Sequence, residues 1–275
     1  MGGNGIRVDL VNYTKKPPLE TVTWAALISY WDGWESEAFG RMGKNDVEMH
    51  LPRVLGYGHE SILEHAVLTF AIEGCSRVCS HQLVRHRLAS YTQQSQRYIK
   101  LNREDVEETF VIPESVKNRP ELYEKWKGLM REAMELYEES YDSGVHQEDA
   151  RFILPPQAVR TKIVVTMNLR ELKHFLGLRA CERAQWEIRE VAWKMLEEIA
   201  RNDELRPIIK WAKLGPRCVQ LGYCPEGELM PPPVAGRGRG RSGKRSRVPN
   251  KWFKKLFLHG RSLRKHGGHR EDQEL

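Results

Sequence analysis

At Pro231-Pro232-Pro233 the chain changes character, and this limits how much of it can fold around a core. Residues 236–247 (GRGRGRSGKRSR) carry no apolar side chain, and a segment with nothing to bury cannot offset the entropy of ordering its backbone. The expectation is one folded domain over 1–230, followed by a Pro/Gly/Arg-rich basic tail over 231–275 that is poorly ordered. Charge divides at the same place. Residues 236–275 hold 13 Lys/Arg against Glu271, Asp272 and Glu274, a net of +10 in a chain whose total is +7. The body is therefore slightly acidic, and a nucleic-acid reading belongs to the tail alone. There, Trp252, Phe253 and Phe257 stand among lysines, a mixture suited to weak binding of nucleic acid without sequence preference. A solvated basic extension is the equal alternative.

The body reads as a mixed α+β domain. Leu122, Trp126, Leu129/Met130, Ala133/Met134, Tyr137 and Tyr141 recur every three to four residues between Pro120 and Gly144, which predicts a helix with one apolar side for a core or a subunit contact. A second stripe predicts one long helix from Arg170 to about Arg201. It comprises Leu172, Leu176, Ala180, Ala184, Ile188, Val191/Ala192, Met195 and Ile199. Shorter helices are expected over 21–31, 47–57 and from Ser76 to about Arg87, the last with Val78, Cys79 and Leu83 inward. Val67–Ile72 and 161–167 read as strands of a small antiparallel sheet, and Phe110–Ile112 as a short extended piece. With 40% hydrophobic residues, no apolar run approaches the roughly 20 that cross a bilayer, and the N-terminus has no apolar signal core. A soluble, cytoplasmic protein without membrane contact is expected. Five cysteines, an odd number, argue against a disulfide framework, and Cys75 and Cys79 read as buried free thiols.

Chemistry concentrates between Gln82 and Arg97 (QLVRHRLASYTQQSQR). Three arginines, one histidine and four glutamines occur there without a single acid. A solvated helix face mixes Glu with its Arg. A set of donors alone suits a phosphate and a polar heterocycle, because guanidinium forks match phosphate oxygens and amides match ring edges. Gln82, Arg85 and His86 lie at i, i+3 and i+4 and would project together from a helix. A basic surface for RNA or an acidic partner fits the same composition equally well.

Arg85-His86-Arg87, then seven residues, then Ser95 resembles the signature of flavin-dependent thymidylate synthases. So do Gly58-His59-Glu60-Ser61-Ile62-Leu63-Glu64-His65, Glu148-Asp149-Ala150-Arg151, Asn168-Leu169-Arg170, Leu178-Arg179 and Ala184-Gln185-Trp186-Glu187-Ile188, in the family's order from about residue 20 to 205. The resemblance implies a catalytic domain that methylates dUMP to dTMP. FAD would serve as hydride source, 5,10-methylenetetrahydrofolate as carbon donor and NADPH as reductant, in a homotetramer with active sites shared between subunits. It places Ser61, Glu64, Arg85, His86 and Arg87 at FAD. Asn168, Leu169, Arg170 and His174 would join from a neighbouring subunit. Gln82, Arg85, Gln93, Gln94, Ser95, Gln96, Arg97, Arg151 and Arg179 would hold dUMP, with Arg179 polarising the uracil ring as the catalytic residue. An arginine beside an apolar stripe needs an anionic partner. Glu182 and Glu187 are the local candidates, and an anionic ring is the alternative that the resemblance favours. Ser95 is implied to be a substrate ligand, and no Pro-Cys-Gln-type cysteine nucleophile is present. The chain departs from the pattern at Leu27, Gln93, Gln96 and Arg183.

A metal site is the rival reading of His59, Glu60, Glu64 and His65. Their spacing is not that of H-E-x-x-H, and the two histidines would not share a helix face, so no metal is expected.

Overall fold

The computed structural model describes residues 5–15, 18–30, 32, 40–98, 106–155 and 157–225. The proposed tail, with residues 236–247 and 252–258, lies outside them. Four strands, β1 (Arg7–Tyr13), β2 (Val67–Ser76), β3 (Ala89–Gln93) and β4 (Arg160–Asn168), form one antiparallel sheet in the order β1-β2-β4-β3. The main helices are α1 (Pro18–Leu27), α2 (Lys44–Gly56), α3 (Arg77–Leu83), α4 (Pro120–Asp142), α5 (Leu169–Arg179), α6 (Trp186–Arg201), α7 (Arg206–Trp211) and α8 (Arg217–Leu221).

Alternation fixes which face of the sheet is inside. Leu68, Phe70 and Ile72 of β2 and Ile163, Val165 and Met167 of β4 are buried, and α5 and α6 cover that face. On the other face Thr69 and Thr166 share a hydroxyl contact at 3.0 Å, and Val164 is exposed. β2 runs four residues past its expected end by way of an irregularity between Glu73 and Cys75. Gly74 is required there. Its φ is +83°, and a Cβ would stand 2.7 Å from the Gly5 carbonyl oxygen. A smaller apolar cluster, Phe110, Ile112, Met130, Met134, Tyr137, Leu154 and Val159, gathers under α4. It joins the sheet through the Phe110–Val159 bridge.

α4 follows its pattern, opening on Pro120 and closing before Gly144 at φ +88°. Its buried side is narrower than the stripe, since Leu122, Leu129 and Tyr141 are exposed. α2 begins at Lys44, where the Asp46 carboxylate accepts from Gly43 N–H at 2.9 Å, and it carries Pro52 inside it. β1 and β3 were not anticipated.

Two expectations are corrected. The helix from 170 to 201 is two helices, interrupted at 180–185. Steps of four residues turn about 400° on an α-helix, so each drifts about 40° off the stripe. The run Leu172, Leu176, Ala180, Ala184, Ile188 cannot stay on one face of a straight helix. The interruption re-aims the chain, and Gln185 opens α6 by accepting from Glu187 N–H and Ile188 N–H. The second correction concerns α3, which ends at Leu83 and leaves Arg85 and His86 off the helix, with Val78 exposed. The Tyr91 hydroxyl sits 3.0 Å from Leu83 O and 2.8 Å from His86 O, where its one proton can serve either, and Leu83 O also accepts from His86 N–H as the turn closes.

Candidate active site

The turn after α3 sends neighbouring side chains in opposite directions. Arg85 and Arg87 are exposed, with no carboxylate partner among the described residues. His86 points inward and is only 4% exposed. Its ring meets Phe175 edge-on at 5.0 Å and His174 at 5.6 Å. Arg179, the last residue of α5, donates its Nε–H to His86 Nε2 at 3.1 Å. On the other side, His86 Nδ1 lies 3.5 Å from an oxygen of the buried Glu171.

This geometry fixes protonation. A guanidinium Nε always carries hydrogen, so His86 Nε2 must be the acceptor, and a neutral ring then bears its proton on Nδ1. Burial, then Arg179 and His174, lower the His86 pKa from 6.5 to about 4. Burial raises Glu171, and burial followed by the nearby Arg85 lowers Arg179, which stays a cation. Because the folded pKa of His86 lies below its unfolded value, the stability it contributes is complete above pH 6.5. That contribution is lost as pH falls towards about 4, whereas Glu171 acts in the opposite sense. Nitrogen NMR of histidine-labelled protein is expected to show His86 neutral at pH 5.5 and protonating only near pH 4, with His86→Gln assigning the signal. Titration near 6.5 would contradict this burial.

Neither candidate acid pairs with Arg179. Glu182 faces Arg189 at 3.5 Å. Glu187 is buried and accepts from Ser76 N–H at 2.8 Å and Ser76 Oγ–H at 2.6 Å, which anchors the start of α3.

The other predicted residues fall into two further groups. At the start of α5, Asn168 caps the helix through Oδ1, accepting from Glu171 N–H at 2.8 Å, while Arg170 pairs with Glu64 and Lys173 with Glu60. Leu169 is fully buried and donates its N–H to Ala66 O, so it anchors the helix and presents no side chain. Ser61 is exposed nearby. Arg170, His174 and Leu178 recur every four residues as an exposed ridge along α5. Beyond β3, Arg97 pairs with Glu148 at 2.9 Å, and Arg151 donates Nε–H to Glu148 O at 2.9 Å. Ser95 Oγ accepts from Arg97 N–H, and Gln147 reaches the Gln96 carbonyl at 3.4 Å. Gln93 spends its amide donors on Ser80 Oγ and Thr161 Oγ1 at 2.9 and 3.0 Å, so its carbonyl is what remains to offer. Gln82 and Gln94 are half-buried, Gln82 on α3 and Gln94 past the end of β3. Arg85, His86, His174 and Arg179 thus form one group, and Arg97 and Arg151 meet at Glu148 beyond the end of β3.

Sequence reasoning missed Glu171 and Tyr91. An acid between Leu169 and Leu172 on a stripe was the available signal for Glu171. Glu60 and Glu64 are both taken up by cations, and among the described residues no group of three His, Cys, Asp or Glu could hold a metal. No helix among the described residues is long and apolar enough to cross a membrane.

Residues 9–203 match the family described as thymidylate synthase complementing protein, which spans the sheet, the helices packed on it and all three residue groups. The chain belongs to this family, the flavin-dependent thymidylate synthases. It is 86% identical over 229 residues to the flavin-dependent thymidylate synthase of Thermococcus onnurineus, covering 83% of this chain and 93% of that protein. Against that of Pyrococcus abyssi it is 75% identical over 236 residues, covering 86% and 96%. Two crystal structures of ThyX from Helicobacter pylori with FAD and dUMP superpose with TM-scores of 0.55 and 0.59. They cover 70% and 76% of this chain and 93% and 100% of theirs, at 24% and 23% identity, and what they share with it is the fold.

Proposed function

We propose that the protein reductively methylates dUMP to dTMP, with 5,10-methylenetetrahydrofolate as carbon donor, FAD as hydride source and NADPH as reductant. The observation that carries this reading is Arg179, a partly buried cation held by a neutral imidazole and left without a carboxylate among the described residues. Its Nη groups remain for an anion, and a uracil ring gaining negative charge as it reacts is such an anion. A fixed donor in a water-poor site stabilises developing charge without reorganising.

The remaining residues fit a phosphorylated pyrimidine and a dinucleotide. Arg85 and Arg87 stand exposed and unneutralised, as phosphate ligands should. The Arg170–His174–Leu178 ridge, over a helix about 15 Å long, gives an extended cofactor a charged end, an imidazole and an apolar end. Ser61 and Glu64 adjoin its charged end. The Arg97–Glu148 and Arg170–Glu64 pairs are exposed, and such pairs contribute too little to resist a phosphate. Bound reduced flavin would supply the hydride. The reading takes the enzyme as a homotetramer in which a neighbouring subunit completes the dUMP site.

This reading uses no cysteine nucleophile, and two of the five thiols are sealed in the core. Cys75 and Cys79 are fully buried, and their mutual hydrogen bond, then burial, push the Cys79 thiol far above its ordinary range. Burial also raises Cys218. The purified protein is expected to show flavin absorption bands that bleach with NADPH, and to convert dUMP to dTMP only when methylenetetrahydrofolate is present. A spectrum without flavin bands after incubation with FAD would refute the proposal.

A further inference from the structure

Glu171 has no role in the chemistry described so far, yet its place is unusual for an acid. It is 5% exposed, and among the described residues no lysine or arginine pairs with it. A buried carboxylate without a cation is costly, and burial raises the Glu171 pKa with only His174 acting the other way. What surrounds it is the imidazole of His86 at 3.5 Å, with His174 and the Tyr91 hydroxyl near by. The opposite nitrogen of that imidazole receives the Arg179 Nε–H at 3.1 Å. His86 Nδ1 is buried and meets no hydrogen-bond partner among the described residues, and the Glu171 oxygen 3.5 Å away is the charged group that stands beside it.

We propose that Glu171 is a positioning residue, which holds His86 in its Nδ1–H tautomer so that Nε2 stays free to orient Arg179. The inference rests on the assignment of Arg179 to the uracil ring. A neutral imidazole has two tautomers of similar energy, and only one can accept from Arg179. In the other, Nε2–H would face Arg179 Nε–H, two donors opposed. A carboxylate has acceptor atoms only, so it selects the Nδ1–H form, and its charge makes Nε2 a stronger acceptor. The architecture supports this division of labour. Glu171 and Phe175 are four apart on the inner side of α5, and Arg179 is four further on. One helix thus carries the selecting acid, the aromatic edge that packs the ring and the cation being aimed. Tyr91, bonded to His86 O, fixes the backbone that delivers the ring.

The test uses the FAD-loaded full chain. Histidine ring nitrogens in 15N-labelled protein report the tautomer directly, and steady-state kinetics with dUMP report the rate. Wild type should show the Nδ1–H form. In Glu171→Leu, the Nε2–H form should appear and kcat should fall about 100-fold, with KM for dUMP changing less than about threefold. In Glu171→Gln, whose amide oxygen can still accept, the Nδ1–H form should persist with kcat within about tenfold of wild type. Tautomer and rate must move together. A variant in which one changes without the other, or a leucine protein in which neither changes, overturns the proposal. Should the leucine protein not fold, the glutamine protein decides by the same coupling. A wild type that shows the Nδ1–H form but makes no dTMP would sink the thymidylate reading while the tautomer comparison still stands.

Discussion

Replacing Arg179 with alanine is expected to lower dTMP formation by a factor of about 1,000 or more while FAD stays bound. Removing one preorganised donor from a site of developing charge costs roughly 100- to 1,000-fold in rate. Here the residue lost is also the cation, so the effect should lie at the upper end. Arg179 is the last residue of α5 and only partly buried, so its removal leaves the core intact. Flavin absorption of the purified variant should therefore match wild type. Arg179→Lys separates charge from geometry, because lysine keeps the charge but has neither the planar fork nor the Nε–H that meets His86. Its activity should stay at least tenfold below wild type. Activity of the alanine protein within tenfold of wild type would remove Arg179 from the reaction.

Glu187→Ala is expected to destabilise the fold by about 3–5 kcal/mol. The carboxylate accepts two hydrogen bonds from Ser76 in a buried setting, and a further one from the Gln185 amide at 3.3 Å. A hydrogen bond to a charged group contributes roughly 1.5–3 kcal/mol, and buried donors left unmatched add their desolvation cost. The link joins the start of α6 to the junction of β2 and α3, 111 residues earlier in the chain, so its loss loosens the support beneath the 84–88 turn as well. Glu187→Gln retains one acceptor and should cost about 1–2 kcal/mol. Guanidinium denaturation would measure both, and equal midpoints for wild type and Glu187→Ala would show the link to be unimportant.

Glu171 and Glu187 also mark where sequence reasoning stops. Strands β2 and β4 were legible because Val67–Ile72 and 161–167 are short runs rich in β-branched residues, in which Leu68, Phe70, Ile72 and Ile163, Val165, Met167 fall at every second position. α4 was legible from its spacing, with Pro120 and Gly144 as punctuation. β3 was not, since Ala89–Gln93 is five residues long and mostly polar, and it is a strand because β4 offers it an edge. The interruption at 180–185 was hidden because no proline or glycine marks it, and the apolar steps continue across it. The residue types of the site could be read from an acid-free run, but the partnership of Arg179 could not. Glu182 and Glu187 were its neighbours in sequence, whereas His86, 93 positions away, is its neighbour in space. Glu171 was not singled out at all, and the packing of α5 on the sheet buried it.

The interruption between α5 and α6 sets a rule for how the chain can change. Adding or deleting one residue within 180–185 would rotate α6 by about 100° about its own axis. Met195 and Ile199 would swing out of the interior, and Glu187 would swing away from Ser76. Surface connections ordinarily absorb changes of length with ease. This one acts as a fixed gear between two helices, so it should accept exchanged side chains at exposed positions such as Glu182, but not at buried Ala180 or capping Gln185, and a changed residue count not at all.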